Sequence, residues 1–207
     1  MKSNIKQILG GLVMLMFTSL AFAHPAQDLV ESSTREVMDI LTQEKEKLEN
    51  DPVALKSLVD EKIIPHLDFE AMTALSLGKN WREATPEQRN ELVTEFKELL
   101  LNTYMSALTL YTGQEMEFKP FIPEKRDDRA IVRAVFLQPG NKGVPVNYKL
   151  RLKDEQWKIY DIDVNNINLV STYRSTFAQR VAQVGIDGLI KEIKEKNASL
   201  VSVKDSG

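Results

Sequence analysis

The stretch WKIYDIDVNNINLVSTYRSTF, residues 157–177, joins a strand with apolar side chains on both faces to an amphipathic helix. Trp157, Ile159, Tyr160, Ile162 and Val164 leave little of the strand for solvent, and only Lys158, Asp161 and Asp163 interrupt them. No residue set in the stretch is equipped for catalysis. A strand buried on both sides that runs straight into a helix suits a wall around an apolar ligand better than a reaction centre.

At the other end of the chain, Lys2 and Lys6 precede an apolar run over residues 8–20, and Ala21-Phe22-Ala23 has the small-x-small form of a cleavage site. The run falls short of the roughly 20 residues a membrane span needs. Residues 1–23 are therefore expected to be a signal peptide cleaved after Ala23, and residues 24–207 a single exported domain that works in the bacterial periplasm or outside the cell. The formal net charge is −3, and removing Lys2 and Lys6 makes it more negative still, which argues against a nucleic-acid partner. With no cysteine, neither a disulfide framework nor a thiolate metal site exists, and stability must come from packing.

Residues 24–113 read as mainly helical. Leu29, Val30, Val37, Met38, Leu41 and Leu48 keep helical spacing from residue 25 to residue 48. Asp51 before Pro52 reads as an N-cap with proline at the first helical position, opening a helix that Pro65 ends. Asp68 caps a short apolar helix stopping at Gly78, and Trp81 falls in the following loop. Thr85-Pro86-Glu87-Gln88 is a capping box, and the helix it opens is expected to run to about Thr112. Its Phe96, Leu100, Tyr104 and Leu108 recur at intervals of four, a row that is more often core packing than the wall of a cavity.

Residues 114–197 change period. Met116 and Phe118 alternate with charged residues in a strand bounded by Pro120 and Pro123, and residues 130–137 form a second strand. A turn over residues 139–143 leads to the clearest alternation, with Val144, Val146, Tyr148, Leu150 and Leu152 on one face and Asn147, Lys149, Arg151 and Lys153 on the other. Asp154-Glu155-Gln156 turns tightly into the strand of the opening stretch. The fold expected is α+β, a four-stranded antiparallel sheet whose dry face is covered by helices, the last two spanning about residues 168–184 and 185–196. The basic row Lys149, Arg151 and Lys153 reads as a solvated strand face or as a contact for head groups or partners.

Reactive chemistry is scarce. His66 is the one imidazole in the body of the chain and lacks a nucleophile or ligand partner nearby, so a surface or capping role is expected of it. Asp161 and Asp163 share a strand face as a D-x-D pair, with no third oxygen ligand close in sequence. No metal-binding, nucleophile-elbow or phosphate-loop motif occurs, and no cofactor is expected.

Leu77-Gly78 with Trp81, Ala84-Thr85-Pro86-Glu87-Gln88-Arg89, the row from Phe96 through Tyr111, Trp157-Lys158-Ile159-Tyr160-Asp161, Tyr173-Arg174-Ser175-Thr176-Phe177 and Gly185-Ile186-Asp187-Gly188-Leu189 occur in an order that resembles the MlaC family of periplasmic phospholipid-binding proteins, also called toluene-tolerance proteins. The resemblance spans nearly all of residues 24–207. One departure stands at Asn166-Ile167-Asn168, where the family commonly has Gly-Ile-Ser or Gly-Val-Ser. Asparagine tolerates the positive φ that glycine serves, so the bend is expected to survive.

The resemblance implies a cone related to nuclear-transport-factor-like folds, which shields acyl chains while the head group stays near solvent. It implies a carrier, not an enzyme, that shuttles phospholipid between an outer-membrane lipoprotein complex and an inner-membrane ABC-transporter complex with a ring of lipid-binding subunits. Outer-membrane lipid asymmetry would be its purpose. Leu75, Leu77, Tyr104, Leu108, Val132, Ala134, Val146, Tyr148, Leu150, Ile167, Leu169 and Tyr173 are the residues expected to line the acyl cavity. Two alternatives stay open: an exported enzyme with Asp161 as general base, and a periplasmic adaptor whose groove takes a partner helix.

Overall fold

The computed structural model describes residues 24–137, 140 and 142–204, so the expected signal peptide and part of the turn over residues 139–143 lie outside the described residues. The chain starts with α1 (Pro25–Gln43) and α2 (Lys45–Asn50), which part at Glu44, four residues before the expected end of one longer helix. Asp51 caps α3 (Pro52–Lys62), its Oδ1 accepting from the Val53 and Ala54 amides at 2.9 and 3.1 Å. Proline then forces a 3₁₀ turn, Ile64–His66. Asp68 caps α4 (Phe69–Leu77) through the Ala71 amide, and Gly78 ends it at φ 57°.

Trp81 lies in a four-residue helix, α5 (Asn80–Glu83), where a loop was expected. The capping box opens α6 (Pro86–Tyr104) with both reciprocal bonds made, Gln88 amide to Thr85 Oγ1 at 3.2 Å and Thr85 amide to Gln88 Oε1 at 3.0 Å. The α-helix does not continue to Thr112. It tightens at Met105 into a 3₁₀ segment, Met105–Leu110. In that geometry side chains three apart eclipse, and Met105, Leu108 and Tyr111 all pack toward Val37, Leu41 and Leu55.

Five antiparallel strands, not four, follow in sequential order: β1 (Met116–Phe118), β2 (Arg129–Phe136), β3 (Val144–Lys153), β4 (Gln156–Val164) and β5 (Ile167–Asn168). The extra strand exists because Asn165 and Asn166 both take positive φ, 51° and 65°, and so reverse the chain within two residues. Val164 then pairs with Ile167 before α7 (Leu169–Lys204) begins. Gly185, at φ 73° and ψ 179°, breaks α7 where two helices were expected to meet.

A bulge decides what β4 presents. Leu150 faces Ile159 and Lys149 faces Asp161, so Tyr160 has no partner on β3 and the alternation restarts after it. Ile162 pairs with Tyr148 and Val164 with Val146, which puts Trp157, Ile159, Ile162 and Val164 on one face and Asp161 and Asp163 on the other. Apolar residues that read as two-sided in sequence thus gather on a single side. α1 packs against that side, its Ala26 and Val30 against Val132, Leu150 and Ile159. α4, α6 and α7 form a separate core around Met72, Leu77, Phe96 and Phe177.

The opposite sheet face is not simply wet. Lys149 pairs with Asp161 at 2.9 Å, Arg151 with buried Asp68 at the start of α4, and Lys153 with Glu70 at 2.9 Å. The basic row on β3 therefore ties the sheet to α4 and to its own neighbouring strand.

Candidate functional site

Between the core under α1 and a third core built by Val37, Leu41, Leu48, Leu55 and Leu58 lies a cavity of about 470 Å³. That volume is within the roughly 300–1,000 Å³ of small-ligand sites. Each wall comes from an element whose apolar face had no complete partner. α1 contributes Leu29, Met38 and Leu41, the end of α3 and the turn after it Ile63 and Leu67, the 3₁₀ segment Leu108 and Leu110, and the sheet Met116, Phe136, Tyr148, Ile159 and Ile162.

Polar groups on the wall are few. Tyr148 points its hydroxyl toward Met116 Sδ at 3.7 Å and lies beside Thr34. Burial pushes its phenol up to about 12, against a weaker opposing contact from Thr34, so it stays a neutral donor at any physiological pH. The Tyr111 hydroxyl is occupied, donating to the Gln114 carbonyl at 2.9 Å. Lys62 supplies the cationic group of the wall, with the His66 imidazole four residues on, and among the described residues no carboxylate lines it. Burial chiefly, then the nearby Lys158, lowers the His66 pKa, with Glu36 acting in the other direction.

The structure brings two of the twelve residues expected to line an acyl site, Leu108 and Tyr148, onto this wall. Val132 and Leu150 are buried immediately behind it against α1. Ala134 and Val146 pair with each other on the same sheet face and are buried. Ile167 also shares that face through Val164, but it sits at the sheet's end with 66% of its surface exposed.

The remaining residues belong to the helical layer. Leu77 is in the core of α4, α6 and α7, with Leu169 and Tyr173 packed against it. Tyr173 stacks edge-on against Phe96 at 4.8 Å, and burial, then Tyr104, raises its phenol pKa strongly. Leu75 and Tyr104 are partly exposed. The α1 residues escaped the sequence reading as site residues, although their helical stripe was evident, because a stripe facing a cavity looks like a stripe facing a core.

Asp161 and Asp163 form no paired carboxylate site. Asp161 is 4% exposed and both its oxygens are engaged, Oδ1 by the Val170 amide at 3.2 Å and Oδ2 by Lys149 and Asn168. It locks the start of α7 to β3 and β4, on the face away from the cavity. Among the described residues no group of three or more His, Cys, Asp or Glu could hold a metal ion.

Comparisons with known proteins agree with an apolar ligand site. The family profile described as MlaC protein matches residues 31–195. The toluene tolerance protein ttg2D of Pseudomonas putida is 29% identical over 187 residues, covering 86% of each chain. The intermembrane phospholipid transport system binding protein MlaC of Haemophilus influenzae is 23% identical over 182 residues, covering 86% of this chain and 84% of that one. Among solved structures, the phospholipid-binding protein of Ralstonia solanacearum in complex with a phospholipid superimposes with a TM-score of 0.79 at 31% identity, covering 86% of this chain and 99% of that one.

Proposed function

The chain belongs to the MlaC family of phospholipid-binding transport proteins, which are not enzymes, and from that premise we propose that it is a periplasmic carrier holding phospholipid acyl chains in the cavity beneath α1. The single observation that carries this reading is the wall itself, apolar from α1, the 3₁₀ segment and the sheet and free of any carboxylate. Among the described residues no helix is long and apolar enough to cross a membrane. The lipid must therefore be shielded by the fold around it.

Each buried methylene is worth about 0.8 kcal/mol relative to water. Some thirty methylenes of a diacyl lipid then represent roughly 24 kcal/mol, which keeps free lipid out of an aqueous compartment. Measured against a bilayer, where the chains are already dry, most of that term cancels. A carrier of this kind can accept and release lipid with a small net change when its cavity faces a membrane complex. We take the donors and acceptors to be an outer-membrane lipoprotein complex and an inner-membrane ABC transporter with a lipid-binding ring, the exchange maintaining outer-membrane lipid asymmetry. We take the five-stranded sheet and the helices on it to form a nuclear-transport-factor-like cone.

Leu108 and Tyr148 are the acyl contacts we infer first, with Val132, Ala134, Val146 and Leu150 forming the floor beneath them. Ile167 would act at the lip of the same face. Gentle purification followed by native mass spectrometry should find phospholipid bound to the wild type and none on Leu108→Glu, which places a charge against the dry wall. A wild type with no lipid, or a Leu108→Glu variant that loads as well as the parent, would overturn the reading.

A further inference from the structure

Two concavities meet at His66. The apolar cavity includes Lys62 and His66 in its wall, and a second groove of about 370 Å³ shares Leu29 and His66 with it. Pro25, Pro65, Gln156, Trp157 and Lys158 complete that groove, so the imidazole is shared by one concavity that carries Lys62 and another that carries Lys158.

Two lysines and an imidazole meet at this junction. Lys62 and His66 lie four residues apart at the end of α3 and the turn after it, both half-buried. Lys158 reaches the same turn from β4, its Nζ donating to the Pro65 carbonyl at 2.7 Å, and its charge is felt at His66. Against them stand Glu36 on α1, whose Oε1 accepts from Lys62 Nζ at 2.6 Å, and Glu61, whose charge also acts on Lys62. No carboxylate lines either concavity.

A phosphodiester at the rim of the cavity needs cationic donors, and Lys62 in one concavity and Lys158 in the other supply them. Charge-assisted bonds from ammonium groups are about twice as strong as neutral ones, and a neutral imidazole adds an ordinary N–H donor. We propose that Lys62, His66 and Lys158 form a seat for the phosphodiester of a lipid whose acyl chain fills the cavity, and that Glu36 competes with the phosphate for Lys62. The proposal rests on the carrier reading above and adds to it the place and chemistry of head-group recognition. His66 supplies a ring N–H at the centre of the seat, and the two lysines flank it. The lipid-free protein keeps Lys62 occupied by Glu36, which neutralises the mouth until an anion arrives.

The test compares two lipids with the same acyl chains, one with and one without a phosphoglycerol head group. Purified protein stripped of lipid is loaded from cyclodextrin complexes of dioleoylphosphatidylglycerol or of dioleoylglycerol, and bound lipid is counted by mass spectrometry. Wild type should take the phospholipid about tenfold better, the H66Q/K158Q variant should lose that preference while still loading dioleoylglycerol, and E36Q should load more phospholipid than wild type. Thermal melts of each variant establish that it is folded.

A preference that survives in H66Q/K158Q, or equal losses of both lipids in a folded variant, would overturn the seat. Loading of neither lipid by wild type would overturn the carrier reading and the seat with it. Glycerophosphoglycerol, the head group without chains, should not compete at equal concentration. Competition by it or by inorganic phosphate at that level would make this a site for soluble phosphate esters, contrary to the proposal.

Discussion

Asp161 shows how little a residue's identity says before its neighbours are known. The carboxylate accepts from Lys149, Asn168 and the Val170 amide, so its role is to anchor the helix that follows β5. Asp161→Asn keeps one acceptor and loses the ion pair, and it should lower unfolding stability by about 1–3 kcal/mol in a denaturant titration while lipid loading persists. The histidines make a second prediction at this scale. His24 and His66 both have pKa values lowered by burial from the ordinary 6.5, Asp28 opposing the shift at the first, while at the second Lys158 adds to it and Glu36 opposes it.

A lowered folded pKa means the unfolded chain takes up the proton first. Stability is therefore full above the unfolded value and declines as pH falls below it toward the folded one, before the carboxylates titrate. Melting midpoints of lipid-free protein should fall between about pH 7 and pH 5, and His66→Gln should flatten that fall. A slope unchanged in both His66→Gln and His24→Gln would exclude the histidines as its source.

At the scale of elements, the boundaries that local chemistry sets were legible. Asp51, Asp68 and Thr85 cap the helices expected of them, and Gly185 divides α7. Gly185 holds a backbone conformation reserved almost wholly for glycine, and the Arg180–Glu192 ion pair bridges the two limbs across it. Gly185→Ala should cost about 1–3 kcal/mol, read as a lower melting midpoint, through backbone strain alone since no atom lies within 4 Å of an added Cβ. Elements that depend on distant contacts were misjudged. The 3₁₀ segment after Tyr104 was expected to be α-helical, because its leucine and tyrosine spacing fits both periods and the choice falls to packing against α1 and α3. β5 was missed because two residues carry no periodic signal, although the Asn165-Asn166 bend that makes it was anticipated.

Taken whole, the molecule has three cores and an unfilled volume between two of them, which ties stability to occupancy. A ligand that binds only the folded state stabilises it by about 2.7 kcal/mol at a hundredfold excess over its dissociation constant. Calorimetry should show the lipid-stripped protein melting below the lipid-bound one, with reloading restoring the midpoint. Identical midpoints would mean that the cavity is not where lipid binds. The sequence by itself determined the α+β order, the helix caps, the hairpins and the family, because caps, prolines, paired turn residues and hydrophobic period act over a few residues each. Only the tertiary structure decided that the bulge at Tyr160 turns β4's apolar residues to one side, and that α1's stripe borders empty space there while Leu77 and Tyr173 close a solid core. An apolar side chain gains from leaving water whether it meets a neighbour or rims a cavity, so the same local pattern serves both, and the difference arises only when distant elements meet.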